Sequence, residues 1–201
     1  DESLIEAFRT NEDIHDRTAL KVFGPDSTLD PHELRRRAKI VNYALLYGKT
    51  AFTLAKDINV TKEAAQEFIE AYFAGFPRVK GFIDRTPDEA RASGVVKTMF
   101  GRRRLVPELN SRNGQIRSAA ERVTVNMPIQ GTAADILKRA MIDLHEDLPK
   151  RGLKTRMILT VHDELLFESP REEADAAAPA VRERMEGAAA LAVPLTVDVG
   201  M

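Results

Sequence analysis

The sequence predicts a helix-rich α+β fold. A helical lobe spans residues 1–93, and a second lobe over 94–201 packs a small antiparallel sheet on helices. Three observations carry this reading. Up to Ser93 the apolar residues recur at helical spacing between recognisable caps. After Ser93-Gly94 short apolar runs alternate with turn residues. At 201 residues, with 43% hydrophobic and 30% charged side chains, the chain can bury a core of that size.

Helices are expected over 2–9 and 13–22. Asp30, Pro31 and Glu33 then form a strong start signal: a capping carboxylate, proline at the first helical position, and glutamate three residues after the cap. The helix they open should end at Gly48, a residue suited to a left-handed C-terminal cap. Further helices are expected over 50–57, 61–74 and 77–92, the last kinked where Thr86-Pro87 interrupts it. Val95–Met99 and Leu105–Val106 read as strands around a Gly101–Arg104 turn. A long helix should cover 113–147 and bend near Pro128. Met157–Val161 and Leu165–Glu168 read as buried strands of a hairpin, followed by an alanine-rich helix over 171–189 and a closing strand at Leu195–Val199.

No apolar run approaches the ~20 residues of a membrane span, and no export signal opens the chain. A cytoplasmic protein without a membrane partner is the expectation. Zero cysteines rule out disulfides and thiolate metal sites. The net charge of -1 conceals an asymmetry: residues 1–33 carry nine acidic and three basic side chains, residues 97–122 seven basic and two acidic. Such a segment attracts a polyanion locally, though a solvated charged face has the same composition.

Three constellations carry chemistry. Arg35, Lys39, Tyr43 and Tyr47 recur every fourth residue, forming a basic-then-aromatic stripe over ~18 Å of one helix face. Leu34, Ala38, Val41 and Leu45 form the opposing buried stripe. Two cations followed by two rings suit a ligand with phosphates at one end and a base and sugar at the other. A solvated amphipathic face shares the spacing. The second constellation is His162-Asp163-Glu164, carboxylates at the tip of an apolar hairpin, which suit Mg²⁺ as hard oxygen ligands. A plain polar turn has the same pattern, and two-ion chemistry needs a second carboxylate cluster. The third is Arg122, Asn126 and Gln130, again spaced by four, which can reach minor-groove acceptors or simply coat a helix.

Taken together, these segments resemble the polymerase domain of family A DNA polymerases, the bacterial DNA polymerase I type. RRRAKIVNYALLYG is similar to the family's motif B and VHDE to motif C. TMFGRRRLVPEL and ERVTVNMPIQGTAADILKRAM, lying between them, are also similar to family segments. The match is collinear over essentially the whole chain. The resemblance implies a fingers-like lobe at 1–93, a palm-like lobe at 94–201, and template-directed DNA synthesis from dNTPs onto a primer 3′ end. It implies nucleotide contacts from His15, Arg35, Lys39, Tyr43, Tyr47 and Gly48, with Lys39 also stabilising the departing pyrophosphate. Asp163 would bind metal with Glu164 in support. His162 would lie near the primer end, and Arg122, Asn126 and Gln130 would contact primer–template DNA.

The resemblance also places the family's motif A, with the second metal-binding carboxylate of a two-Mg²⁺ site, immediately before residue 1. The chain alone is therefore expected to be weak or inactive and its parent monomeric. Two other readings stay open on the residues: a non-catalytic nucleic-acid-binding module or polymerase remnant, and a metal-dependent phosphohydrolase built on the hairpin carboxylates.

Overall fold

The computed structural model describes residues 1–25 and 27–200. Its chain forms two compact units, the first Asp1–Ile129 and the second from Gln130 onward.

The first unit begins with α1 (Glu2–Arg9), α2 (Ile14–Phe23), α3 (Pro31–Leu46), α4 (Ala51–Ile58), α5 (Lys62–Gly75) and α6 (Pro77–Ser93). Each of the first five is capped by a side chain that accepts from its first turn: Asp1, Asp13, Asp30, Thr50 and Thr61. Such a cap contributes about 1 kcal/mol. Helix α6 has no side-chain cap but carries Pro77 in its first turn, where a missing N–H costs nothing. It runs as one helix through Pro87, the position of the expected kink. Proline withholds the donor for the Ile83 carbonyl, while the Thr86 hydroxyl donates to the Phe82 carbonyl at 2.6 Å.

The core of this unit gathers Val41, Ala44 and Leu45 of α3 with Leu54, Ala55 and Ile58 of α4 and Ala65 and Tyr72 of α5. Tyr72 meets Phe76 at 4.9 Å between ring centroids, and burial pushes its phenol up to about 12. A smaller cluster joins Ala90, Val96, Val106, Leu109 and Ala120. It seats the hairpin of β1 (Val95–Lys97) and β2 (Arg103–Leu105), paired antiparallel with Lys97 opposite Arg103. The turn is centred earlier than expected because Thr98 closes it. The Thr98 N–H donates to the Arg102 carbonyl at 2.9 Å, and its hydroxyl accepts from the Arg102 N–H at 3.1 Å. Strand β2 therefore includes Arg103 and Arg104, and Val106 leaves it for a 3₁₀ turn at Pro107–Asn110.

Helix α7 (Gly114–Lys150) continues through Pro128 without interruption. Its second half belongs to the other unit, with β3 (Arg156–Val161), β4 (Glu164–Glu168) and α8 (Ala174–Glu186). Leu144 and Leu148 of α7 pack on Ala180 and Val181 of α8, with Leu165 and Phe167 of β4 against them. The hairpin is therefore covered on one face only. Ile158, Leu159, Val161 and Leu166 are exposed, which corrects the expectation of buried strands. Register passes from Met157 opposite Phe167 to Leu159 opposite Leu166, leaving Ile158 as a bulge.

The expected strand at Leu195–Val199 does not form. Side chains of α8 take the hydrogen bonds a strand partner would: the Val197 N–H donates to Glu186 at 3.0 Å, and Arg182 donates to the Val197 carbonyl at 3.1 Å.

Asp147 ties α7 to α8, accepting from Arg184 at 2.7 Å and from Arg151 at 2.5 Å. The Arg184 hydrogen bond, then that of Arg151, holds its carboxyl down at about 2. An unfolded Asp titrates near ~3.9, so this contribution is complete above that value and is lost as pH falls towards about 2. Asp147→Asn should lower the melting temperature at neutral pH, with the gap to wild type narrowing below about pH 4. Melting curves across that range would contradict the linkage if the gap stayed constant.

Candidate active site

The first site grows from the two helices that bracket residue 30. Asp13 caps α2 through Oδ1, accepting from the His15 N–H at 2.7 Å. Its other oxygen accepts from Arg35 Nη2 at 2.6 Å and Nε at 3.1 Å. One carboxylate thus closes the start of α2 and holds the first cation of the α3 stripe. The Arg35 hydrogen bond, opposed by some burial, keeps Asp13 below the usual carboxylate range. Asp16 lies 3.8 Å from Arg35 Nε. Arg36 and Arg37 are engaged by Glu33, whose carboxyl they hold at about 2. Lys39 is exposed and has no ion-pair partner among the described residues.

The buried stripe forms from Ala38 onward: Ala38 and Val41 are fully buried and Leu45 nearly so, while Leu34 is half-buried. Tyr43 and Tyr47, on the other side, are 50% and 44% exposed. The His15 ring lies 6.1 Å from that of Tyr43, tilted by 45°, and both Arg35 and Lys39 act on it electrostatically. The structure therefore brings His15, Arg35, Lys39 and Tyr43 together. A cavity of about 530 Å³ follows the stripe, lined by Arg36, Lys39, Tyr43, Tyr47, Lys49 and Asp57.

Helix α3 ends in the cap expected of Gly48, which has φ +67°. The Lys49 N–H donates to the Ala44 carbonyl at 2.8 Å and the Gly48 N–H to Leu45 at 3.1 Å. A Cβ on Gly48 would fall 3.1 Å from Cγ of Arg122. That close approach seats the first turns of α7 against the end of the stripe. Gly48 and Arg122 share a cavity of about 370 Å³ with Arg91, Ser118 and Glu121. Arg122 donates to Ser118 at 3.0 Å. Asn126 is half-buried and Gln130 exposed, each one turn further along α7.

The hairpin turn of the second unit holds the remaining candidates. Val161 pairs with Glu164, so His162 and Asp163 form a two-residue connection, with His162 at φ +55°. His162, Asp163 and Glu164 are all exposed. Both carboxylates line a cavity of about 820 Å³ with Ile158, Phe167 and the segment Thr196–Gly200. Two hard oxygen donors in an open groove fit Mg²⁺, which takes few protein ligands and keeps its water. No group of three His, Asp or Glu among the described residues could hold a metal, so the pair is at most one part of a two-ion site.

Asp13, Thr18 and Asn42 were not singled out in the sequence, yet they build the first site. Asn42 carried a readable signal: it falls on the buried stripe, one residue after Val41 and three before Leu45. A polar side chain there demands a specific partner.

The family model for DNA polymerase family A matches residues 1–201. The thermostable DNA polymerase I of Thermus aquaticus is 48% identical over 202 residues, covering 100% of this chain and 24% of its own length. DNA polymerase I of Geobacillus stearothermophilus is 48% identical over 198 residues, covering 98% of this chain and 23% of its own. Among solved structures, the POL domain of Pol1 from M. smegmatis, in complex with DNA primer-template and dNTP, matches with a TM-score of 0.93 and 46% identity. That match covers 100% of this chain and 35% of the other. The chain belongs to DNA polymerase family A. It spans about a quarter of the length of these curated relatives.

Gly48→Ala should destabilise the protein by about 1–2 kcal/mol, the cost of a side chain in the left-handed region, with a further contribution from the Arg122 contact. Urea unfolding measures this; a midpoint equal to wild type would contradict the role given to Gly48.

Proposed function

We propose that this chain is the nucleotide-gripping and part of the catalytic portion of a DNA-directed DNA polymerase. Residues 1–93 serve as a fingers-like lobe and 94–201 as a palm-like lobe. The parent adds deoxynucleotides to a primer 3′ end as directed by a template, and its partners are primer–template DNA and dNTP. The observation that carries the reading is the α3 stripe: a cation with no ion-pair partner among the described residues, followed by exposed tyrosines beside a cavity, in a chain of this family.

In the proposed reaction the primer 3′-hydroxyl attacks the α-phosphate in line and pyrophosphate leaves. Arg35 and Lys39 hold the triphosphate, and Lys39 neutralises charge developing on the leaving pyrophosphate. His15 donates to a phosphate oxygen. Tyr43 lies against the sugar and base, and Tyr47 with Gly48 sits at the template-base position. Arg122, Asn126 and Gln130 approach the primer–template from its minor-groove side, and His162 sits near the primer end. Asp163, supported by Glu164, is the anchor for Mg²⁺, which when bound supplies charge neutralisation and acidifies the attacking hydroxyl. Two-ion chemistry needs a second carboxylate anchor besides this pair. On this basis the 201-residue chain alone extends primers weakly or not at all.

A second reading, a nucleic-acid-binding module without catalysis, draws on the lack of a three-ligand metal group among the described residues. Retention on primed DNA, followed by addition of Mg²⁺ and nucleotides to the full-length parent, separates the two, since binding without extension supports the module. In that parent, single-turnover extension should fall at least ~100-fold for Asp163→Ala. Lys39→Ala should weaken nucleotide binding and slow the chemical step. A near wild-type rate for Asp163→Ala would reject the assignment. Tyr43→Phe should increase discrimination against dideoxynucleotides, because the tyrosine hydroxyl occupies hydrogen-bonding space otherwise served by the sugar 3′-hydroxyl. Equal sensitivity of wild type and variant to chain terminators would remove Tyr43 from the sugar.

A further inference from the structure

We infer that Asn42 is a positioning residue that fixes His15 in the neutral Nε2–H form, so that the ring serves as a hydrogen-bond donor to an anion rather than as a third cation.

The inference starts from a buried amide. Asn42 is 6% exposed on the core side of α3, where an amide left without hydrogen-bond partners would be strongly destabilising. Its partners come from α2. Thr18, fully buried, lies 2.7 Å from the Ile14 carbonyl and 3.1 Å from Asn42 Oδ1, and the shorter contact takes its hydroxyl proton. The Thr18 oxygen is then free to accept from Asn42 Nδ2 at 3.0 Å. The other Nδ2 hydrogen has one destination, His15 Nδ1, also at 3.0 Å.

A ring nitrogen that accepts a hydrogen bond carries no proton, so the ring proton resides on Nε2. Protonating Nδ1 would set one N–H against another and break the bond to Asn42. Among the described residues no side chain accepts from Nε2. The charged groups acting on the ring are Asp13 and Asp16 from α2 and Arg35 and Lys39 from α3. Burial of the ring is the largest influence and disfavours the imidazolium. Asp13 opposes it, Arg35 and Lys39 reinforce it, and the net effect lies below the ordinary histidine value.

The chemical consequence rests on the nucleotide reading proposed above. Two cations already face the triphosphate position. A neutral donor beside them adds direction without adding repulsion. Asn42 touches neither phosphate nor metal in this scheme; it acts through His15.

The test uses the 201-residue chain with ¹⁵N-labelled histidine, reading both ring nitrogens by NMR across a pH titration. In wild type, His15 Nδ1 should resonate as an unprotonated nitrogen and Nε2 as a protonated one, with a midpoint below the ordinary ~6.5. Asn42→Asp replaces the donor with a carboxylate, so the proton should move to Nδ1 and the midpoint should rise above ~6.5. A wild-type ring protonated at Nδ1, or titrating above the ordinary value, overturns the inference whether or not the variant folds. A folded Asn42→Asp protein with wild-type tautomer and midpoint overturns it as well. Adding inorganic tripolyphosphate then separates this inference from the nucleotide reading. A shift at Nε2 supports both. An unresponsive ring with the expected tautomer supports the role of Asn42 and overturns the placing of His15 at the phosphates.

Discussion

The first site depends on the Asp13 carboxylate, which joins the successive helices α2 and α3 at the point where both present chemistry. One oxygen terminates α2 and fixes the backbone of His15; the other holds the Arg35 guanidinium 2.6 Å away. That bridge works alongside the bonds of Asn42 to His15 and Thr18, which also tie α3 to α2. Together these contacts set the Asp13-Ile14-His15 segment and the α3 stripe on one face. The pair is half-exposed, so solvent screens it and it holds Arg35 only weakly. A triphosphate can therefore compete for Arg35 at little cost, while the cap keeps Asp13 in place. The bridge orients Arg35 in advance without locking it. Lys39, with no such partner among the described residues, is the cation left to answer a new anion.

Local signals in the sequence specified most of the helices. Asp30, Pro31 and Glu33 open α3 as their residue types require, and Gly48 closes it at positive φ. The stripe of Ala38, Val41 and Leu45 is buried because its spacing leaves it no other face. The failures arose where a partner far along the chain decides the outcome. Leu195–Val199 alternates as a strand should, but its backbone is held by Arg182 and Glu186 of α8. Ile158 and Leu159 read as core residues, yet a two-stranded hairpin with one covered face leaves them exposed. The contacts of Asp13 with Arg35 and of Asn42 with His15 span 22 and 27 positions. No local pattern encodes such pairings. What the sequence does carry is the anomaly of an asparagine on a buried stripe.

The hairpin carboxylates are governed by a different constraint. A two-residue connection forces one residue into the left-handed region, and here it is His162. That conformation is uncommon away from glycine, and it is imposed by the pairing of Val161 with Glu164. It sets Asp163 at the tip, exposed above a groove with apolar walls. Hard oxygen donors held this way suit a divalent cation, and their number suits one anchor of a shared site. On the proposed reading the charged residues divide accordingly: cations and rings on α3 for a nucleotide, carboxylates on the hairpin for metal, polar groups along α7 for DNA.

The central claim is that the α3 stripe, with His15 beside it, receives a triphosphate. Backbone amide NMR of the chain titrated with a deoxynucleoside triphosphate tests it most directly. The account predicts that the largest saturable shifts fall at His15, Arg35, Lys39 and Tyr43 and weaken as salt is raised. Shifts confined to the basic segment of residues 102–117, with the stripe unmoved, would contradict it.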